Sequence, residues 1–300
     1  MSKQRQQTYA PVKPARSYQE QVRRMIEVHN LEIDNADHAR RVLSTVNYYR
    51  LTTYGKHLRR QDNPELFLPG VSLEDLAALY EFDMGLRHQI LPVLELFEVQ
   101  LRAKISYHLA MTYGSTGYTE AKNFRPEKPF QGSHRDIMNK FRTEVRRCDD
   151  LAFVRHHQKK YGGKFPVWAA VELFSFGMLA QLYDVMTERD QRAVSGEYGM
   201  EPQALASLIG CAVDVRNICA HYSRLYNQPI EELPVLPEAY AHHATDRVFA
   251  LLLALRPAVG DCRAYAQMIR GIAQLEKEYP QAELALCGFP ENWEELLENE

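Results

Sequence analysis

Long apolar runs are missing from this chain. No stretch approaches the roughly 18 consecutive apolar residues that a bilayer-spanning helix needs, which excludes a helical membrane protein. The opening residues, MSKQRQQTYAPVKPAR, lack the apolar core of a secretory leader, so secretion is not expected. Cysteine is scarce: five residues, at 148, 211, 219, 262 and 287, form no CxxC pair. Such an odd, scattered set argues against a disulfide framework and a structural zinc site, and it fits a reducing cytoplasm. No apolar/polar alternation runs longer than four residues, and no internal repeat is visible, which removes sheets and solenoids. Charge of one sign is not in excess either. The net charge of -3 gives no global indication of nucleic acid.

What is present is ordinary globular composition, with 45% apolar and 25% charged residues over a length of 300. That length buries a substantial core without staples. The charge is unevenly spread. Residues 1–24 hold six Lys/Arg against one acid, 134–164 hold nine Lys/Arg and three His against four acids, and 271–300 hold one Lys against eight Glu. The middle block reads either as a phosphate-binding surface or as a helix with a solvated basic face.

Periodicity makes the chain nearly all helix. Residues 1–16, with two Pro and no period, read as a mobile basic arm. Residues 17–70 form an N-terminal helical region: a short helix over 17–30 with a Ser17/Glu20 capping box, then a helical unit over 34–60. A long helix follows, capped by Ser72 with Asp75 at the third position. Its apolar stripe runs from Leu76 to Leu109 and should bend at Pro92 and stop near Gly114. Asp83 falls inside that stripe and needs a partner if buried. Further helices are expected over 134–160, 167–186, 203–227, 239–255 and 262–279, with a short acidic turn at the end. The organisation is therefore a bundle over 71–260 and a C-terminal helix with acidic tail over 261–300. An all-α antiparallel bundle is the expected architecture.

The segment 203–227 carries chemistry. Asp214, Asn217, His221 and Arg224 recur at helical spacing, so Asn217, His221 and Arg224 are expected on one face, with Arg216 leaning toward His221. Amide, imidazole and guanidinium together suit gripping a phosphodiester and moving a proton at neutral pH.

The run Arg216-Asn217-Ile218-Cys219-Ala220-His221 resembles the R-N-x-x-x-H motif of HEPN ribonucleases. The longer RNICAHYSRLYN resembles the signature of the abortive-infection AbiD/AbiF-like family. Other segments fit in order: Asn47-Tyr48-Tyr49-Arg50-Leu51, Leu79-Tyr80-Glu81-Phe82-Asp83 with Leu86-Arg87, Glu95 through Arg102, and Pro166-Val167-Trp168 with Glu172 and Ser175-Phe176-Gly177-Met178-Leu179. The resemblance spans about residues 15–230. Two positions depart from the family's usual residues: Tyr222 stands where His is more usual, and Tyr226 where Trp is. Ser223 occupies the place of a Tyr in antitoxin-paired HEPN toxins, so modification of that Tyr does not carry over.

The resemblance implies a HEPN-like bundle and metal-independent RNA cleavage in phage defence, where cutting RNA stops growth of the infected cell. Arg216, His221 and Asn217 are then catalytic. The ribose 2′-hydroxyl is the nucleophile, so DNA should survive. His221 has the intrinsic pKa of a general acid or base, Arg216 binds phosphate, and Asn217 orients either group. One chain supplies only one such His, so the resemblance further implies a homodimer with a composite cleft.

Other candidates carry two readings each. Arg224 and Asn227 either hold the helix end and the dimer or touch RNA. Glu95, Glu98 and Arg102, and separately Glu172, are either local ion-pair formers or carboxylates and partners that position Arg216. Tyr48, Tyr49 and Arg50 either stack bases beside phosphate or belong to the core. Arg142, Arg146, Arg147, Arg155, Lys159 and Lys160 fit an RNA backbone. His156-His157 and His242-His243 should diverge by about 100° on a helix, so no metal and no cofactor is expected. The rival to the nuclease is a non-catalytic member that binds a structured or regulatory non-coding RNA. A purely structural helical interaction protein is the third reading.

Overall fold

Ser17 opens the first helix as its spacing to Glu20 requires. In the computed structural model, which describes residues 12–126, 133–260 and 262–298, the Glu20 N–H donates to the Ser17 side chain and the Glu20 carboxylate accepts from the Ser17 N–H at 2.7 Å. This capping box starts α1 (Tyr18–Glu27). Residues 1–11 of the expected basic arm lie outside the described residues, and 12–16 are exposed without regular structure.

The expected helical unit over 34–60 is three pieces: α2 (Ala36–Thr45), α3 (Tyr48–Tyr54) and a 3-10 turn, Gly55–Leu58. Asn35 caps the start of α2 and Asn47 that of α3. Each side chain accepts N–H groups of the following turn, which restarts the helix instead of continuing it. Gly55 is dictated by packing, because a Cβ there would lie 2.7 Å from the Phe67 ring. Val22, Met25, Leu43, Leu51, Phe67 and Leu76 form one buried cluster with these elements.

The long helix α4 (Leu73–Tyr113) begins at Ser72, whose hydroxyl donates to Asp75 Oδ2 at 2.7 Å. It continues through Pro92 and ends at Gly114, which adopts φ +79. The chain divides into two compact units, 1–81 and 82–300, so the division falls within α4.

The second unit holds α5 (His134–Arg147), α6 (Ala152–Tyr161), α7 (Val167–Ala170), α8 (Phe176–Val185), α9 (Glu188–Gly196), α10 (Pro202–Ala220), α11 (Val248–Val259), α12 (Arg263–Glu278) and α13 (Trp293–Glu298). Several expected helices are shorter. The one over 134–160 breaks at 148–151 into α5 and α6. The one over 167–186 divides into α7, a 3-10 turn and α8, because Ser175 caps a new start by accepting the Met178 N–H at 3.2 Å. Pro166 is the N-cap of α7, one place before the first helical position. The helix over 239–255 becomes a 3-10 turn, Glu238–His243, and α11, which runs on through Pro257 in its last turn. Helix α9 was not expected. Thr187 caps it, accepting the Asp190 N–H and donating to the Asp190 carboxylate at 2.6 Å.

The fold is all-α: no strand forms among the described residues, which show only isolated bridges. No helix among them is long and apolar enough to cross a membrane. Helix α10 packs against α8, α9 and α11, burying Leu205, Leu208, Ile209, Ala212, Val215 and Cys219. Each large apolar side chain buried this way contributes about 1.5–3 kcal/mol. Helices α4 and α12 approach closely at glycines. A Cβ on Gly85 would meet Leu275, and one on Gly271 would meet the Gln89 amide.

Candidate functional site

Helix α10 ends earlier than its periodicity suggests, and this ending builds the site. The helix stops at Ala220, and His221 is its C-cap rather than an interior residue. Tyr222 then takes φ +57, the left-handed region. The Ser223 N–H donates to the Ile218 carbonyl at 2.9 Å and the Tyr222 N–H to the Cys219 carbonyl at 3.3 Å, the two bonds of a Schellman ending. Glycine usually holds the left-handed position, and an aromatic there carries strain. Asn217, His221 and Arg224 therefore do not share a continuous helical face.

They still meet. A cleft of about 440 Å³ is lined by Asn217, His221, Ser223 and Arg224, with Asp214 and Glu231 also on its walls. His221 is exposed and Asn217 half-buried. Arg224 donates to the Gln228 side chain at 2.8 Å, a contact within the outgoing loop. Burial pushes the Asp214 carboxyl above its usual range, and the nearby Glu232 and Glu231 add to that shift.

The outgoing chain is anchored by the carboxylate flagged in α4. Asp83 is fully buried, and its Oδ1 accepts the N–H groups of Leu225 and Tyr226 at 2.9 and 2.7 Å. Its Oδ2 pairs with Arg87 at 3.2 Å. Two segments of the sequence signature thus meet in one interaction. Tyr226, also buried, packs edge-on to Phe82, and its hydroxyl accepts the Glu283 N–H at 3.1 Å. Asn227 adopts φ +50 in the turn and is not among the residues lining the cleft.

Arg216 points elsewhere. Its expected lean toward His221 is not found, and it does not line the cleft. Its Nε lies 3.3 Å from Glu98 Oε2, an ion pair without hydrogen-bond alignment, and its guanidinium sits 5.5 Å from the Phe176 ring centroid. The side chain retains 21% exposure. Five positions on an α-helix turn a side chain by about 140°, which accounts for the divergence from His221. Glu98 is shared: its Oε1 accepts from Arg102 at 2.8 Å. Arg102 also donates to the Phe174 carbonyl at 2.9 Å and to the Val171 carbonyl, fixing the turn between α7 and α8. Glu98 therefore bridges Arg102 and Arg216, combining the local pair with the positioning contact. Glu95 is exposed, and so is Glu172, on the turn that Arg102 grips; the described ion pairs of Arg102 and Arg216 run to Glu98 and to neither of these.

The remaining candidates lie apart. Arg142, Arg146 and Arg147 are exposed on α5, and Arg155, Lys159 and Lys160 are exposed on α6, so the basic block spans two helices. Arg147 pairs with Glu144 at 2.6 Å. In the N-terminal unit, His29 Nδ1–H donates to the Glu65 carbonyl at 2.7 Å, leaving Nε2 to accept from the Tyr48 hydroxyl at 2.7 Å. Burial holds the His29 pKa below its usual value, in keeping with a neutral ring. Tyr48 is thus engaged in the fold, Arg50 is half-buried, and Tyr49 is exposed. The two His pairs do not behave alike. His157 stacks on Phe165 at 4.9 Å, while His242 and His243 lie in a 3-10 turn with ring centroids 3.9 Å apart, against the expected divergence.

Sequence reasoning missed the second wall of the cleft, formed by the loop 228–231, because nothing in a Pro-containing loop reports what it packs against. The Asp83 anchor was visible as a misplaced carboxylate, although its partners were not.

A buried helix that ends in an exposed imidazole, flanked by amide and guanidinium groups, gives this all-α protein a solvent-open polar cleft, with the ion-paired Arg216 outside it. The family described as Abi-like protein matches residues 41–227, more than half of the chain. The chain belongs to that family. The match ends at Asn227, the last residue of the signature dodecamer, and begins later than the resemblance from about residue 15. No curated protein and no solved structure matches the chain.

Proposed function

We propose that this Abi-like protein is an abortive-infection effector acting in the cytoplasm as a metal-independent endoribonuclease of the HEPN type. The observation that carries this reading is the placement of His221: an exposed imidazole at a helix end, in an open cleft with Asn217 and Arg224, inside the matched family segment. In this reading the 2′-oxygen of a ribose attacks the adjacent phosphorus and the bond to the 5′-oxygen breaks. The products are a 2′,3′-cyclic phosphate and a 5′-hydroxyl. One imidazole takes the 2′-hydroxyl proton, and an imidazolium delivers a proton to the leaving 5′-oxygen. Guanidinium stabilises the charge on the non-bridging oxygens. DNA, which lacks the nucleophile, is spared.

Each chain offers one His221, and its Arg216 lies outside the His221 cleft. A homodimer that brings two α10 ends together supplies the second imidazole and a guanidinium from the other copy. The separation of the two groups within one chain supports such a composite site. The rival reading is RNA binding without cleavage, and Asp214 and Glu231, which line the same cleft, would repel a phosphate in either reading.

End-labelled RNA incubated with the protein in EDTA separates the two. The nuclease gives cyclic-phosphate ends that disappear in Arg216→Ala and His221→Ala. Tight binding with intact RNA selects the rival, and neither cleavage nor binding removes both.

A further inference from the structure

We infer that the N-terminal unit carries a nucleic-acid site of its own, a groove beside α3 that takes a segment of single-stranded RNA, with a base stacked on Tyr49 and phosphates on Lys56 and Arg60. The inference rests on RNA being the partner, as proposed above, and it adds a site remote in sequence from α10.

The groove has a volume of about 690 Å³ and is lined by Tyr49, Lys56, Arg59, Arg60, Gln61 and Pro64, among others. Tyr49 is 77% exposed, although its neighbour Tyr48 is tied to His29. Asn47 accepts the Tyr49 N–H at 2.7 Å and fixes the backbone beneath the exposed ring. A flat aromatic face held out to water beside cations is the arrangement that single-stranded nucleic acid uses: any base stacks, and the backbone supplies the charge.

One of the cations is held in place. The Arg59 guanidinium lies 4.2 Å from the Phe67 ring centroid, and its Nη1 donates to the Pro64 and Glu65 carbonyls at 2.9 and 3.0 Å. Carbonyl partners fix the guanidinium without cancelling its charge. Lys56 is exposed. Arg60 pairs with Asp62 at the surface, and an exposed pair of this kind yields readily to a phosphate. The residues lining the groove include Lys56, Arg59 and Arg60 and no Asp or Glu, so the groove is cationic in a chain that is acidic overall. An acidic peptide would satisfy the charge but leave the exposed ring unused.

The test uses the full chain and a fluorescein-labelled 2′-O-methyl oligouridylate, which lacks the 2′-hydroxyl nucleophile and so survives the proposed transesterification. Anisotropy at several salt concentrations is measured for the unaltered chain, Tyr49→Ala, and the double variant Lys56→Gln with Arg60→Gln. These side chains are exposed, so melting temperatures should hold. Tyr49→Ala is expected to weaken binding about tenfold. The double variant is expected to flatten the slope of log K against log salt by about 1.4, or ~0.7 for each lost phosphate contact. A 5-bromouridine probe is expected to cross-link to the peptide containing Tyr49. RNA binding that both variants leave unchanged overturns this site and leaves the RNA reading at His221 standing. A chain that binds no RNA overturns both. Displacement of the probe by polyglutamate, with Tyr49→Ala without effect, reassigns the groove to acidic peptides and overturns the inference.

Discussion

Arg216 and His221 stand five positions apart on one helix, yet their surroundings are opposite. Arg216 faces the packed interior side of α10, bound to Glu98 and stacked near Phe176. His221 faces water at a helix end closed by a residue in left-handed backbone. One end of the motif is fixed by a network that continues through Arg102 to the turn after α7. The other is held through its backbone, by the Schellman bonds and the Asp83 anchor behind it. The contrast is one of burial: Asp83, Arg87, Glu98 and Arg102 are buried or half-buried in ion pairs, whereas the imidazole is exposed to solvent.

Substitutions at the two ends should therefore fail in different ways. The largest effect is expected at His221. His221→Ala should lose about 10²–10⁴-fold in RNA cleavage while its melting curve stays unchanged, since an exposed side chain contributes little to stability. A parallel loss of stability would show that the imidazole is structural. Asp83→Ala should do the reverse first. It strands Arg87 and two backbone N–H groups in the core, and chemical denaturation should report a loss of about 3–5 kcal/mol. A loss below about 1 kcal/mol would mean the anchor is dispensable.

Glu98→Gln sharpens the comparison further. It keeps the shape and removes the charge shared by Arg102 and Arg216, with an expected stability loss of about 1–3 kcal/mol. If Glu98 acts by positioning Arg216, kcat should fall with little change in KM, and Glu98→Asp should recover part of it. Uniform loss of folded protein with unchanged kcat would make the role purely structural. The smallest effect is expected at Tyr222. Tyr222→Gly removes an aromatic from left-handed backbone and should raise stability by about 1 kcal/mol, read as a higher denaturation midpoint. No gain would show that the ring's own contacts offset the strain.

The sequence made the scaffold legible where control is local. Ser17 with Glu20 and Ser72 with Asp75 announce helix starts through bonds three residues long. The same signal at Thr187 and Asp190 was available and would have revealed α9. The end of α10 was not legible, because Leu225 and Tyr226 continue the apolar rhythm of a helix. They are buried for another reason: Asp83, 142 residues from Leu225, captures their N–H groups after the chain has turned. A periodic pattern reports burial and does not report which backbone conformation achieves it. The break between α5 and α6 likewise carries no Gly or Pro to mark it. Asn217, His221 and Arg224 line one cleft, but not as the continuous helical face that their spacing suggests. The direction of Arg216 depended on Glu98 and Phe176, residues of other helices.

The most direct test concerns the need for two copies. Mass by light scattering and RNA cleavage in EDTA should be measured on the same samples across a dilution series. The composite-site reading expects a dimer, and a specific activity that falls as the dimer dissociates. A monomer that cleaves RNA with undiminished specific activity would contradict it.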